Sequence, residues 1–208
     1  DVELYPDGIW YRRRICDGSD VISRRQYVCI EDSEVPFPAP EDDLYFVAVH
    51  GYYDLTFTLA MILHGSQILD MYKDSFNWER LVRLAYNYGT IDAVYLYLLV
   101  LNKYYEDYLY PKQSPIPSSV IALFEKSWMC RSIKKWYVKK QQESLSFPVH
   151  IPFSLGRIHS SLNYYIVKFR RNQFTPLDTI CDVLSQIRHL DFNLRQNLQG
   201  TSFSDSHV

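Results

Sequence analysis

Glycine is scarce in this chain, with seven among 208 residues. That scarcity argues against glycine-rich loops that cradle phosphates and favours helices. The four cysteines, Cys16, Cys29, Cys130 and Cys181, contain no CxxC pair. Neither a thiolate zinc site nor a disulfide framework is therefore expected, and a reducing, cytoplasmic setting is. A run of 18 apolar residues is also missing, so no membrane partner is expected. GxSxG, GxGxxG, P-loop and HExxH patterns are absent, which removes the usual local signatures of hydrolases, dinucleotide enzymes, NTPases and metalloproteases. The formal net charge of −2 is too small for bulk attraction to a polyanion. No methionine opens the chain, which starts at Asp1; a cut or processed form is the expectation.

What is present is apolar and aromatic. Hydrophobic residues make up 47%, with 18 Tyr and 11 Phe, ample for a sizeable core. Charge is unevenly spread. Residues 1–76 hold fourteen acids and six bases, whereas residues 125–172 hold ten bases and two acids. The first 37 residues contain "DVELY", "GIWYRRRI" and "RQYVCI", punctuated by Asp7-Gly8 and Asp17-Gly18-Ser19. These read as short strands joined by turns. The prolines of "EVPFPAPEDDLYF" then predict an extended linker.

Beyond the linker the pattern is helical, with helices expected near 41–54, 56–73, 77–88, 91–109, 117–142, 154–173 and 176–197. Asn77 and Thr90 are placed to cap helices, and Gly89 to stop one. The fold expected is mainly α: a bundle-like helical domain over 38–208 behind a β-rich segment over 1–37, α+β overall.

The stretch "AMILHGSQILDMYKD" tests one chemistry directly. A Gly-Ser turn followed by paired acids is how polymerase-β-like nucleotidyltransferases hold a nucleotide and Mg²⁺. Those acids lie at i and i+2 on a strand, where alternate residues share a face. Here Ser66 is followed by Asp70 and Asp74 at helical spacing, with Met61, Ile62, Gly65, Ile68, Leu69 and Tyr72 forming an apolar stripe. Gly65 is expected to be a notch for close helix approach. The i, i+2 spacing occurs instead at Asp1 and Glu3, between Val2 and Leu4. Edge strands with acids facing water show the same alternation.

Taken in order, "DVELYPDG", "PEDDLYFVAVHGYYD", "ILHGSQILDMYKD" and "FNWERLVRLAYNYGTIDAVYLYLLVLNKYY" resemble the uncharacterised nucleotidyltransferase family of the polymerase-β superfamily, over about residues 1–115. The matching positions are Glu41, Asp42, Leu44 and His50, then Asp70, then Asn77, Trp78, Leu81, Leu84, Ala85 and Gly89. Asn77 stands where that family has Asp. The resemblance implies the C-terminal portion of such a protein, with the Gly-Ser and paired-Asp half lying before Asp1. Asp1 and Glu3 would be remaining metal carboxylates. An intact parent would use Mg²⁺ to transfer a nucleotidyl group from an NTP; this chain alone is expected to hold no cofactor.

Other chemistry is weaker. His50, in an apolar helix, reads as a buried hydrogen-bonder, and Asp70 as a helix cap or bridge. The basic run Lys126, Arg131, Lys134, Lys135, Lys139 and Lys140 shares a helix with Trp128 and Trp136. It fits either polyanion binding or an amphipathic helix with Trp128, Ile133 and Trp136 in the core and its lysines in water. Two functional readings follow. In one, a nucleotidyltransferase-like protein uses its helical domain to position an acceptor or partner. In the other, the chain is a non-catalytic helical binding or scaffold module, with a protein partner, a second copy or weakly bound nucleic acid as ligand.

Overall fold

The computed structural model describes residues 16, 18–109, 113–140 and 147–152. Seven helices and four short strands lie within them. The expected strands over 1–15 and the expected helices over 154–173 and 176–197 fall outside the described residues, as do Asp1 and Glu3.

The N-terminal piece departs from its expected form in two ways. Gly18–Ser23, read as punctuation between strands, is helix α1, and it carries Val21 into the core. Strand β1 (Gln26–Ile30) is where a strand was expected, but the supposed linker contributes its partner, β2 (Ser33–Phe37). The two pair antiparallel from Gln26↔Phe37 to Ile30↔Ser33 around a two-residue turn, in which Glu31 takes a φ of 55°. Proline is tolerated in β2 because it is an edge strand, where a missing N–H can face outward.

Helix α2 (Pro40–Tyr53) starts with proline in its first turn, followed by Glu41, Asp42 and Asp43. Proline loses no hydrogen bond there, and acids favour the helix start. Two-residue strand β3 (Thr56–Phe57) pairs with β4 (Val149–His150). Their pairing and the Thr58 cap delay the next helix, α3, to Leu59–Met71; the Met61 N–H donates to the Thr58 hydroxyl at 3.3 Å. Helix α4 (Trp78–Tyr88) is capped as the sequence predicts. The Arg80 N–H donates to Asn77 Oδ1 at 3.0 Å, and Gly89 ends the helix at φ 68°.

Helix α5 (Ile91–Tyr108) is the hub. Ile91 through Leu98 are all buried, and α2, α3, α4, α6 and α7 all pack on it. Thr90 does not cap α5 through its side chain; its hydroxyl instead meets the Tyr45 hydroxyl at 3.0 Å. The long helix expected over 117–142 is two, α6 (Ser118–Phe124) and α7 (Trp128–Lys140). The apolar phase explains the break. Phe124 and Met129 both face the core, yet five residues of continuous helix would turn them about 140° apart. A turn at Glu125–Ser127 restores the phase, with the Ser127 N–H bonded to the Phe124 carbonyl at 3.0 Å.

Gly65 is the notch that the sequence predicts. A Cβ there would lie 2.2 Å from the Tyr97 hydroxyl, which donates to the Met61 carbonyl at 2.6 Å. The architecture is mainly α, with small two-stranded sheets, and among the described residues no helix is long and apolar enough to cross a membrane.

Two substitutions test this packing. Gly65→Ala is expected to cost about 1–3 kcal/mol in chemical denaturation. The cost should shrink in a Tyr97→Phe background, because the obstructing oxygen is gone; equal costs in the two backgrounds would contradict the notch.

Candidate functional site

Helix α7 carries the residues that the sequence singles out for polyanion binding. At 100° per residue, Met129, Cys130, Ile133 and Tyr137 fall on one face, and all four are buried. Trp128, Arg131, Lys135, Val138 and Lys139 fall on the opposite face, and every one is exposed. The amphipathic reading that put Trp128 in the core is thus corrected: the residue is 53% exposed. The cause is again helical phase, since Trp128 is one residue short of the buried Met129. Ile133 is buried as expected, and Trp136 is half-buried at the edge.

The six basic candidates divide into two groups. Lys134 donates to Glu125 Oε1 at 2.7 Å, a carboxylate that also accepts from the Tyr95 hydroxyl at 3.0 Å. The Lys134 hydrogen bond leads in holding the Glu125 carboxyl below its usual pKa. Arg131 donates to the carbonyls of Glu125 and Lys126 at 2.9 and 2.8 Å, which ties down the turn before α7. Lys140 donates to the His150 carbonyl at 3.3 Å and lies over the Trp136 ring at 5.7 Å. Lys126, Lys135 and Lys139 carry no hydrogen bond or ion pair among the described residues.

Beside this face, α5, α6 and α7 enclose a groove of about 640 Å³. Leu99, Ile116, Ile121 and Val138 give it apolar walls, and Lys103, Glu106, Glu125 and Lys134 give it charged ones. Those charges are already matched: Lys103 pairs with Asp107 at 2.7 Å, and Lys134 with Glu125. The groove is electrically balanced, whereas the outer face of α7 is not.

The stretch from Ala60 to Asp74 holds no phosphate grip. Ser66 Oγ donates to the Leu63 carbonyl at 2.8 Å inside α3. Asp70 bridges helices as expected, with the Tyr105 hydroxyl 2.9 Å from its Oδ1. His50 corrects another expectation. Its side chain is 41% exposed and pairs with Asp54 at 3.0 Å; i and i+4 place the two on one outer strip of α2. His64 pairs with Asp43, also at 3.0 Å. The Cys130 thiol is pushed up to about 12, first by burial and then by the Asp92 charge, so it stays protonated rather than nucleophilic. No group of three or more metal-ligating side chains occurs among the described residues.

One cluster escaped sequence reasoning. Arg80 Nη2 donates to Asp42 Oδ1 at 3.0 Å and to Asp20 Oδ2 at 2.8 Å. Arg24 donates to the other oxygen of Asp42 and lies 3.6 Å from Asp20. Asp42 is 1% exposed and Arg80 7%. Next to them, Glu41 accepts the Asn77 backbone N–H at 2.8 Å. Desolvation, and then the facing Arg80, lower the Arg24 pKa from its usual value. With two cations set against two anions, this cluster is internally neutralised and binds α1, α2 and α4 together. The sequence offered Arg80 beside the apolar Leu81 and Leu84, and Glu41 and Asp42 as positions of the family resemblance, but nothing that joined them.

Compared with known protein families, with curated proteins and with solved structures, the chain matches none.

Proposed function

We propose that the helical unit is a binding module for single-stranded nucleic acid, with the outer face of α7 as its contact surface. The observation that carries this reading is the exposed Trp128 ring on the same face as Arg131, Lys135 and Lys139. Cations along one helix face attract phosphates whatever the base sequence, and an exposed aromatic ring offers any base a stacking partner. Lys139 and Lys140 also occupy the last turn of α7, where the helix terminus favours positive charge. The stripe is therefore stable without bound anion and available to one.

The resemblance to the nucleotidyltransferase family gives this module a place. In such a protein, the α7 face would hold the strand whose end accepts a nucleotidyl group, and Mg²⁺ and NTP would be held elsewhere, with Asp1 and Glu3 as candidate metal carboxylates. The helix Trp78–Tyr88, capped by Asn77 and ended by Gly89, on the family's spacing of Trp78, Leu81, Leu84, Ala85 and Gly89, supports that reading.

Titration of a fluorescent oligouridine by anisotropy, over a series of salt concentrations, tests the module. Lys135→Gln with Lys139→Gln is expected to weaken binding and to reduce the slope of log affinity against log salt by about 1.4. Trp128→Ala should weaken binding by about 1–3 kcal/mol with the slope unchanged. Lys134→Gln should matter little, because Glu125 already engages that lysine. If the double lysine variant binds as the parent chain does, with the same slope, α7 is not the contact surface.

A further inference from the structure

The β1–β2 hairpin is the most exposed element among the described residues. All five residues of β1 are exposed, and so are four of the five in β2. An isolated two-stranded hairpin is at best marginally stable in water; further strands or a covering layer normally complete it. Its two edges are chemically different, and the register shows how. In an antiparallel pair, residues alternate between pairs that exchange both amide hydrogen bonds and pairs whose amides face away. Pro36 has no N–H, so Tyr27↔Pro36 is of the second kind, and so is Cys29↔Glu34 two residues along. The outer edge of β2 thus offers Glu34 and a proline that cannot donate, a device that blocks strand addition. The outer edge of β1 offers the complete amides of Tyr27 and Cys29. Among the described residues no third strand joins this sheet, and no other backbone hydrogen bond uses those amides.

The two faces differ as well. Alternation puts Val28, Ile30, Val35 and Phe37 on one side. Val28 is 45% exposed, Ile30 50% and Phe37 43%. Tyr27 and Cys29 share the other side with Arg25, whose guanidinium carbon lies 5.3 Å from the Tyr27 ring centre. Charge is ordered along the strand too: Arg25 precedes β1, and Glu31 and Asp32 follow it.

We propose that β1 pairs antiparallel with β1 of a second copy of this chain, about a two-fold axis at Val28. That register sets Tyr27 opposite Cys29 of the second copy, and both residues have amides free to exchange hydrogen bonds. It sets Arg25 opposite Glu31 of the second copy, the turn residue just beyond the end of β1, twice by symmetry. A parallel pairing would bring like charges together at each end, which disfavours it. The product is a four-stranded antiparallel sheet in the order β2–β1–β1–β2, with Val28, Ile30, Val35 and Phe37 of both copies on one face, beside Gln26 and Ser33, and with proline-blocked outer edges. The interface is isologous and closed, so it stops at two copies.

Sedimentation velocity of the full chain over a range of concentrations tests the proposal, with circular dichroism as the check on folding. The parent chain is expected to form dimers, and Val28→Asp to abolish them by placing two like charges face to face at the axis. Arg25→Glu alone should weaken dimerisation roughly tenfold, and Arg25→Glu with Glu31→Arg should restore it. Val28→Cys in a Cys29→Ser background should give a disulfide-linked dimer on mild oxidation, since directly opposed residues in a pair of this kind have their side chains closest. A parent chain that stays monomeric at every concentration and yields no cross-link would overturn the proposal and leave the edge to a strand of another protein. A dimer that survives Val28→Asp would overturn it too, by placing the contact elsewhere.

Discussion

The carboxylate of Asp42 sits almost wholly out of water between two guanidinium groups. An isolated anion there would be far too costly to bury; held between Arg24 and Arg80, it becomes a joint. Three elements distant in sequence depend on it. Helix α2 starts where Asp42 and its neighbour Glu41 must point inward, and Glu41 receives the backbone N–H of the residue that caps α4. Helix α1, with the hairpin behind it, is fixed through Asp20 and Arg24. The N-terminal piece is thus attached to the helices by oriented charge as well as by the apolar contacts of Cys16 and Val21. Removing either arginine would leave Asp42 and Asp20 sharing one guanidinium, a buried charge imbalance that weakens the attachment of α1.

The second constraint is the central helix. Over Ile91 to Leu98 this helix is buried on every side, so no water-facing stripe orients that half and something else must help to set its rotation. Tyrosine does this here. Tyr95, Tyr97 and Tyr105 on α5 send hydroxyls to Glu125, the Met61 carbonyl and Asp70. Tyr52 of α2 sends one the other way, to Asp92 on α5, at 3.1 Å. Burial leads in raising the pKa of all four phenols, helped by the carboxylate acceptors of Tyr52, Tyr95 and Tyr105 and by the Asp43 charge near Tyr97, which keeps them protonated as donors. These four tyrosines thus serve the core, with the polar end of each ring met by an acceptor on a neighbouring segment.

Periodicity made much of this fold legible. Helices α2 to α5 lie within a few residues of their expected spans, and Asn77 and Gly89 cap and stop α4 as capping chemistry predicts. Gly65 was readable as a notch because its stripe was helical. The failures have physical causes. The break between α6 and α7 involves neither glycine nor proline; it is a slip in apolar phase that averaging over a long window conceals. Pro36 seemed to forbid a strand, but an outward-facing proline costs an edge nothing. The amphipathic reading of α7 placed Trp128 in the core beside Ile133, whereas one step of helix rotation decides its place. The Asp42 cluster was invisible because each of its charges, read alone, looks like an ordinary surface residue. Of the candidate contact surface, the basic residues were legible, but which of them are engaged by Glu125 and nearby carbonyls required the fold.

The tyrosine braces have a further meaning. Phenylalanine in the same positions would occupy nearly the same volume and bury nearly the same area, so collapse would proceed much as before. Each hydroxyl adds an address. It accepts one turn of one neighbouring helix and rejects the turns above and below, where no acceptor waits. A core built this way carries its assembly instructions in a few oxygen atoms, and apolar bulk only ensures that they are read.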